Sequence, residues 1–166
     1  MRAFLALLML LGLAACGTSR QAAIPTRPGI DLTEPISCVP YARARSGIAL
    51  SGDAWEWWDA AAGRYERGRG PRPGSVLVIQ RTSRMPSGHV AVVSRIVSSR
   101  EILVDHANWA SGAARGRIAT DQRVIDVSPG NDWSLVRVWY PRIGDFGRTT
   151  YVARGFIHPV TQMAGR

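Results

Sequence analysis

The sequence predicts an α+β domain in which N-terminal helices pack on an antiparallel β-sheet. Helix-forming segments come first, over residues 39–62, and β-rich runs follow over residues 75–140. Only short turns separate several of these runs, and short connections favour antiparallel pairing. Helices followed by a series of strands are the pattern of α+β segregation.

Two helices are predicted before the strands. The first runs from Val39 to about Ser46, where Gly47 is suited to end it. The second covers residues 54–62, and either Ser51 or Asp53 can cap its first turn. Both helices therefore begin and end at residues with the appropriate backbone chemistry.

The second helix is expected to pack through one face. Trp55, Trp58 and Ala62 recur at helical spacing, so they are predicted to anchor the helix on the core. Trp57 then points elsewhere and could line a substrate groove.

The β-rich runs predict a meander of strands. Val, Ile and Leu dominate the runs, and Pro, Gly, Ser and Asn separate most of them. The last segment, residues 141–166, is expected to form a tail that packs on the domain through Tyr151, Phe156 and Ile157. The predicted strands are residues 75–80, 89–97, 101–105, 123–127 and 134–140.

Residues 1–15 have the pattern of a secretory signal peptide. Arg2 precedes a short uncharged apolar run that ends in small residues. The run is shorter than the roughly 20 apolar residues of a transmembrane helix. Leu13-Ala14-Ala15-Cys16 resembles the lipobox of bacterial lipoproteins, which implies lipid attachment at Cys16 and a membrane anchor. Gly17 then implies an outer-membrane lipoprotein that faces the periplasm of a Gram-negative cell. An ordinary signal peptide with an incidental Cys16 is the alternative.

A flexible tether and one domain are predicted after the leader. Residues 16–36 are rich in Thr, Ser, Ala, Pro and Gly and have no periodic pattern. The remaining residues, 37–166, suffice for a single domain with its own core, in which residues 37–140 are the predicted catalytic part.

The chain is strongly basic. It has a net charge of +9, and all 21 basic residues are arginine. Such a charge favours anionic partners, of which nucleic acid is the usual one. The export signal argues against nucleic acid and favours peptidoglycan carboxylates and lipid head groups instead.

Cys38 is a candidate nucleophile. If Cys16 carries a lipid, Cys38 has no partner for a disulfide, and a lone thiol in an exported protein needs another role. Cys38 lies at the expected start of the first helix, where free amides and a partial positive charge favour a thiolate. Its pKa is therefore expected to fall. The same amides can stabilise an oxyanion.

His89 is a candidate base for that thiol. It opens the strand 89–97, and a turn joins this strand to the strand that begins at Glu101. If the two strands form a hairpin, their far ends meet and bring His89 close to Asp105, His106 and Asn108. Each of these three side chains could orient the imidazole.

These elements resemble the CHAP family, the cysteine, histidine-dependent amidohydrolases/peptidases. The resemblance covers about residues 36–140 and depends most on Gly88-His89-Val90-Ala91-Val92-Val93 and on Asn108-Trp109, with a further match at Gly52-Asp53-Ala54-Trp55. It implies a papain-like α+β fold and hydrolysis of amide bonds in peptidoglycan. By resemblance, Cys38 is the nucleophile, His89 is the base, and neither a metal nor an organic cofactor is required.

The third catalytic position departs from the common CHAP pattern. Many CHAP domains carry Glu two residues before the Asn, where this chain has His106. Asp105 lies one residue earlier, and one step along a strand turns a side chain to the other face. His106 is therefore the favoured orienter, as in the related NlpC-type peptidases, followed by Asn108 and then by Asp105.

Two other classes of function compete with hydrolysis. Cys38, His89 and His106 could form a zinc site, although the chain lacks the closely spaced ligand pairs of structural zinc sites. A non-catalytic lipoprotein that binds the cell wall is the other alternative. Within the hydrolase class, the sequence leaves open whether the enzyme is an amidase or an endopeptidase.

Overall fold

The computed structural model describes residues 34–109 and 114–160. The predicted signal peptide, Cys16 and most of the predicted tether lie outside the described residues. Across the two described ranges, none of the helices has both the length and the apolar character needed to cross a bilayer.

The described chain is mostly β-structure. Its helices are α1 (Cys38–Ser46) and α2 (Trp57–Ala60), with short 3₁₀ turns at Ala54–Glu56 and Pro141–Ile143. The strands are β1 (Glu66–Gly68), β2 (Val76–Ile79), β3 (His89–Ser98), β4 (Glu101–Ala107), β5 (Ile118–Asp126), β6 (Leu135–Tyr140), β7 (Asp145–Phe146) and β8 (Tyr151–His158).

Six antiparallel strands close into a barrel. The order is β8-β2-β3-β4-β5-β6, and β6 pairs back onto β8 through Leu135 with Val152 and Val136 with Tyr151. The remaining strands are short, with β1 paired to β8 and β7 paired to β6. Because β6 and β8 pair with each other, neither strand is a free edge of the sheet at these residues.

The predicted papain-like α+β fold is wrong. Residues 151–158 join the sheet as β8, and this strand pairs with both β2 and β6 to close the barrel. The two helices, of nine and four residues, are too short to form the helical layer of an α+β protein. The strands predicted over residues 75–140 are confirmed as β2 to β6, with β5 beginning earlier than expected.

Two hydrophobic clusters explain how the barrel and the helices fit together. One cluster draws residues from all six barrel strands, including Leu77, Val93 and Phe156, and fills the interior. The other combines residues of β2, β3 and β8 with the helical segments, including Val78, Val90 and Ala42. Because side chains alternate along a strand, β2 and the first half of β3 are buried on both faces.

The helical segments only partly match their predictions. The first helix is confirmed, and Gly47 ends it in the left-handed conformation, with its amide bonded to the carbonyl of Arg43. The predicted face of the second helix is wrong, because Trp57 is fully buried while Ala62 is exposed. The segment starts as a 3₁₀ turn, so a regular helical spacing does not apply to it.

Candidate active site

Cys38 lies against the start of β3. It is the first residue of α1, it is partly buried, and its side chain packs with the cluster between the helices and the sheet. The backbone amide of Val90 approaches the Cys38 sulfur and acts to lower the pKa of the thiol. Val90 follows His89 directly, so the thiol lies against the stretch of backbone that carries His89.

Gly88 fixes how the chain enters β3. Its φ is +67°, and an added Cβ would lie 2.8 Å from both the Ile79 carbonyl oxygen and the Trp55 Cβ. The Trp55 amide also donates a hydrogen bond of 3.2 Å to the Ser87 carbonyl. A side chain at position 88 would therefore move the backbone that carries His89.

The hairpin of β3 and β4 joins two histidines. Val92 lies opposite Asp105 in the register, and the Nε2 atom of His89 lies 3.1 Å from the Nδ1 atom of His106. Both side chains are buried, each with 2% of its surface exposed. The two rings thus form a hydrogen-bonded pair that is largely closed to solvent.

Trp109 covers this pair. Its ring stacks on His106 with centroids 5.5 Å apart and meets His89 edge-on at 4.7 Å. Tyr151 of β8 also contacts Trp109, with ring centroids 5.2 Å apart. These aromatic contacts keep both imidazoles in a weakly polar environment.

Burial keeps both histidines neutral. It lowers the pKa of His106 from 6.5 to about 4. Burial, followed by the neighbouring His106, also lowers the pKa of His89 well below its ordinary value. A neutral imidazole can accept a proton, so His89 has the protonation state that a general base needs.

The expected fall in the pKa of Cys38 is wrong. Burial raises the pKa of the thiol, and hydrogen bonds from the amides of Val90, Val39 and Cys38 itself oppose this only in part. The resting pair is therefore a neutral thiol and a neutral imidazole. A thiol in this state needs a proton acceptor before its sulfur can act as a nucleophile.

Asp105 and Asn108 are engaged away from the imidazole pair. One Asp105 oxygen accepts hydrogen bonds from Arg45 of α1, and the other accepts one from the Asp121 amide. The Oδ1 atom of Asn108 accepts a hydrogen bond of 2.8 Å from the Gly116 amide. Of the three candidate orienters, only His106 contacts His89.

Cys38, His89 and His106 do not form a group suited to a metal ion. Within residues 34–109 and 114–160, no three His, Cys, Asp or Glu side chains are gathered in such a way. The geometry therefore gives no support to the alternative of a zinc site.

A thiol at a helix start, packed against the strand that carries a buried histidine, supplies the two groups of a Cys–His site, in which a ring nitrogen can take up the proton of a nucleophilic sulfur. Residues 30–108 match the model of the CHAP domain family, which confirms the predicted resemblance over that range. CHAP domains are generally associated with hydrolases that act on peptidoglycan. No curated protein matches the chain. The matched segment includes Cys38, His89 and His106 and ends before β5.

Sequence reasoning missed two contributions to this site. Trp109 belongs to the quoted Asn-Trp pair, but only the structure shows that its ring covers both imidazoles. Arg45 carries no motif at all, because its partner Asp105 is 60 residues away in the chain. A basic residue two turns after a helical cysteine is the only signal that could have indicated it.

Proposed function

We propose that the protein is a peptidoglycan hydrolase that cleaves an amide bond, with Cys38 as nucleophile, His89 as base and His106 as the residue that orients the base. The distance of 3.1 Å between Nε2 of His89 and Nδ1 of His106 is the observation that carries the proposal. The match of residues 30–108 to the CHAP domain family supports the substrate class.

The proposed reaction requires one of the two tautomer arrangements that the hydrogen bond between the histidines allows. His106 accepts through Nδ1 when His89 donates its Nε2–H. The Nδ1 atom of His89 is then unprotonated and free to accept a proton from the thiol. An orienting partner that selects one tautomer is a recurrent feature of nucleophile–base pairs.

The reaction proceeds by acyl transfer. The Cys38 sulfur attacks the amide carbonyl while His89 takes the thiol proton, and the carbonyl oxygen becomes an oxyanion. Collapse of this intermediate breaks the C–N bond, and His89 delivers its proton to the leaving amine. Water then attacks the thioester with His89 as base, which releases a carboxylic acid and restores the thiol.

The oxyanion has donors close to the sulfur. The amides of Val39, Cys38 and Val90 already approach the Cys38 sulfur. Backbone N–H groups that are fixed before the reaction stabilise developing negative charge without reorganisation. Through these amides, the start of α1 and the start of β3 both contribute to transition-state stabilisation.

The proposal includes a location. The lipobox-like sequence before Cys16 supports a lipoprotein anchored in the outer membrane and facing the periplasm, where peptidoglycan is the anionic polymer within reach. Mass spectrometry of the mature N-terminus tests the anchor: a diacylglycerol-modified Cys16 is expected. An unmodified N-terminus at another residue would exclude it.

Digestion of purified sacculi tests the reaction. The wild-type protein is expected to release muropeptide fragments, while Cys38→Ala and Cys38→Ser release none above the blank. Equal release by all three proteins would refute the thiol mechanism. Binding to sacculi without release by the wild type would favour the non-catalytic wall-binding alternative. The products also identify the bond, because a muramoyl amidase frees the lactyl carboxyl group and an endopeptidase does not.

A further inference from the structure

An ion pair connects α1 to the strand that carries His106. The Nε and a terminal nitrogen of Arg45 lie 2.9 and 2.8 Å from one oxygen of Asp105. The Asp105 side chain is 5% exposed and that of Arg45 is 21% exposed, so the contact is largely shielded from water. Coulomb attraction is correspondingly stronger than between two surface charges.

The other oxygen of Asp105 is held by the barrel. It accepts a hydrogen bond of 3.0 Å from the Asp121 amide of β5. The Asp121 side chain in turn accepts one of 2.9 Å from the Ser94 hydroxyl of β3. These hydrogen bonds hold the Asp105 carboxylate in place relative to β3, β4 and β5, independently of its contact with Arg45 of α1.

Arg45 lies on the same side of α1 as Cys38. The two residues are seven positions apart in the sequence, and seven positions correspond to almost two complete helical turns. Asp105 and His106 are adjacent on β4. One ion pair thus joins the element that carries the nucleophile to the element that carries the histidine partner of the base.

Among the described residues, two further features bear on how α1 is held. Ser37 occupies the position before the helix but makes no side-chain capping hydrogen bond. The Ile36 amide bonds to the Gly116 carbonyl at 2.9 Å and restrains the chain just ahead of the helix. The Arg45–Asp105 pair restrains the other end.

We propose that Arg45 and Asp105 are positioning residues that hold Cys38 in register with the His89–His106 pair. The inference rests on the proposed function only in that Cys38 and His89 act together. Loss of the ion pair lets α1 shift on the sheet, and it leaves one charge without its partner in a shielded site. The thiol then reacts without help from the imidazole.

Two other titratable groups lie near these residues. Burial and then the Asp105 carboxylate raise the pKa of Tyr41 on α1, so this phenol stays neutral at neutral pH. The negative charge of Asp53 also raises the pKa of Cys38, by less than burial does. Neither group supplies a positive charge that could replace Arg45.

The pH profile of Cys38 alkylation tests the proposal. The full-length protein reacts with iodoacetamide, and mass spectrometry follows the peptide that contains Cys38, which separates it from Cys16. Asp105→Asn and Arg45→Gln are expected to lower the rate about tenfold at pH 7. Above pH 10 their rates should approach that of the wild type, because the thiolate then forms without a base. Arg45→Lys should restore part of the rate at pH 7, since it keeps the charge but loses the guanidinium geometry.

Glu101→Gln is the matched control. Glu101 lies on the same strand and pairs with Arg123 at 2.6 Å, at the end of β4 remote from His106. This variant is expected to keep the wild-type alkylation profile. His89→Ala gives the profile of an unassisted thiol, and the Asp105 variant should lie between it and the wild type. Thermal melts of each variant verify folding, and Arg45→Lys carries the test if Asp105→Asn fails to fold.

Several results would overturn the proposal. These are an Asp105→Asn profile that superimposes on the wild type, an equal loss of rate in Glu101→Gln, and a loss that is the same at every pH. Identical profiles for the wild type and His89→Ala would also overturn it. The assay needs no peptidoglycan, so a pH-selective loss in an otherwise inactive protein would refute the proposed hydrolase and leave the positioning role intact.

Discussion

Nε2 of His89 and Nδ1 of His106 lie 3.1 Å apart inside the fold, where 2% of each residue is exposed. A hydrogen bond in such surroundings has no competition from water, so the two rings are held in one relative orientation. The Cys38 sulfur meets the amide of the residue after His89. The start of α1 and a single hairpin therefore bring Cys38 against the backbone that carries the histidine pair.

His106→Ala is expected to lower kcat for fragment release from sacculi by about 100-fold, because a correctly oriented base contributes on the order of 10²–10⁴ to the rate. His106→Asn should lose less activity, since an amide oxygen can still accept the Nε2–H of His89. Initial rates at saturating substrate measure the effect. Equal and small losses in both variants would show that the second histidine does not orient the first.

The buried histidines predict a loss of stability in acid. His106 has a pKa of about 4 when folded against 6.5 as its ordinary value. Between pH 6.5 and 4, His106 is protonated in the unfolded chain but still neutral in the folded protein. The free energy of unfolding therefore decreases as the pH falls through this range, and His106 causes no such decrease above pH 6.5. At 1.36 kcal/mol per pKa unit, the loss is about 3 kcal/mol from this group.

Urea unfolding at pH 7.0 and at pH 4.5 measures this loss. The difference between the two free energies of unfolding should be smaller in His106→Gln than in the wild type. A difference of the same size in both proteins would mean that His106 is not the group responsible.

The local elements of the site could be predicted because their signals are local. Gly47 and Gly88 mark the ends of segments, and the alternation of Val and Ile after His89 predicts a strand. A short connection then forces a hairpin, which brings His89 to His106. The choice of His106 over Asp105 followed from the alternation of side chains, and Asp105 indeed bonds to Arg45 instead.

The closure of the barrel could not be predicted in this way. It depends on β8, whose residues pair with strands about 75 and 15 positions earlier in the chain, at Val78 and Val136. Nothing in the composition of residues 151–158 distinguishes a closing strand from a packed tail. The raised pKa of Cys38 was not predicted for a related reason. The sequence indicates the helix start, which favours a thiolate, but it does not indicate the burial of the thiol, which opposes one.

Asn108→Ala is expected to affect stability more than catalysis. Asn108 has a φ of 58°, and its Oδ1 accepts the Gly116 amide proton at 2.8 Å. The variant loses this hydrogen bond and places Ala in a left-handed conformation, which costs about 1–2 kcal/mol. Its kcat should stay within about tenfold of the wild type. Denaturation and sacculus digestion measure the two effects, and a loss of activity as large as that of His106→Ala would make Asn108 part of the catalytic group.

Gly88→Ala is expected to damage both the fold and the site, and Gly63→Ala provides the matched control. Both glycines have positive φ values, +67° and +70°, but a Cβ at position 63 meets nothing within 4 Å. Gly63→Ala should therefore cost only the backbone term of about 1–2 kcal/mol. A Cβ at position 88 would lie 2.8 Å from the Ile79 carbonyl, so the chain entering β3 must move and carry His89 away from Cys38. We expect a destabilisation of about 3 kcal/mol or more and a loss of hydrolysis, measured by thermal melts and by digestion below the melting temperature. If the two variants proved equally stable and equally active, the close approach at Gly88 would have no role in positioning His89.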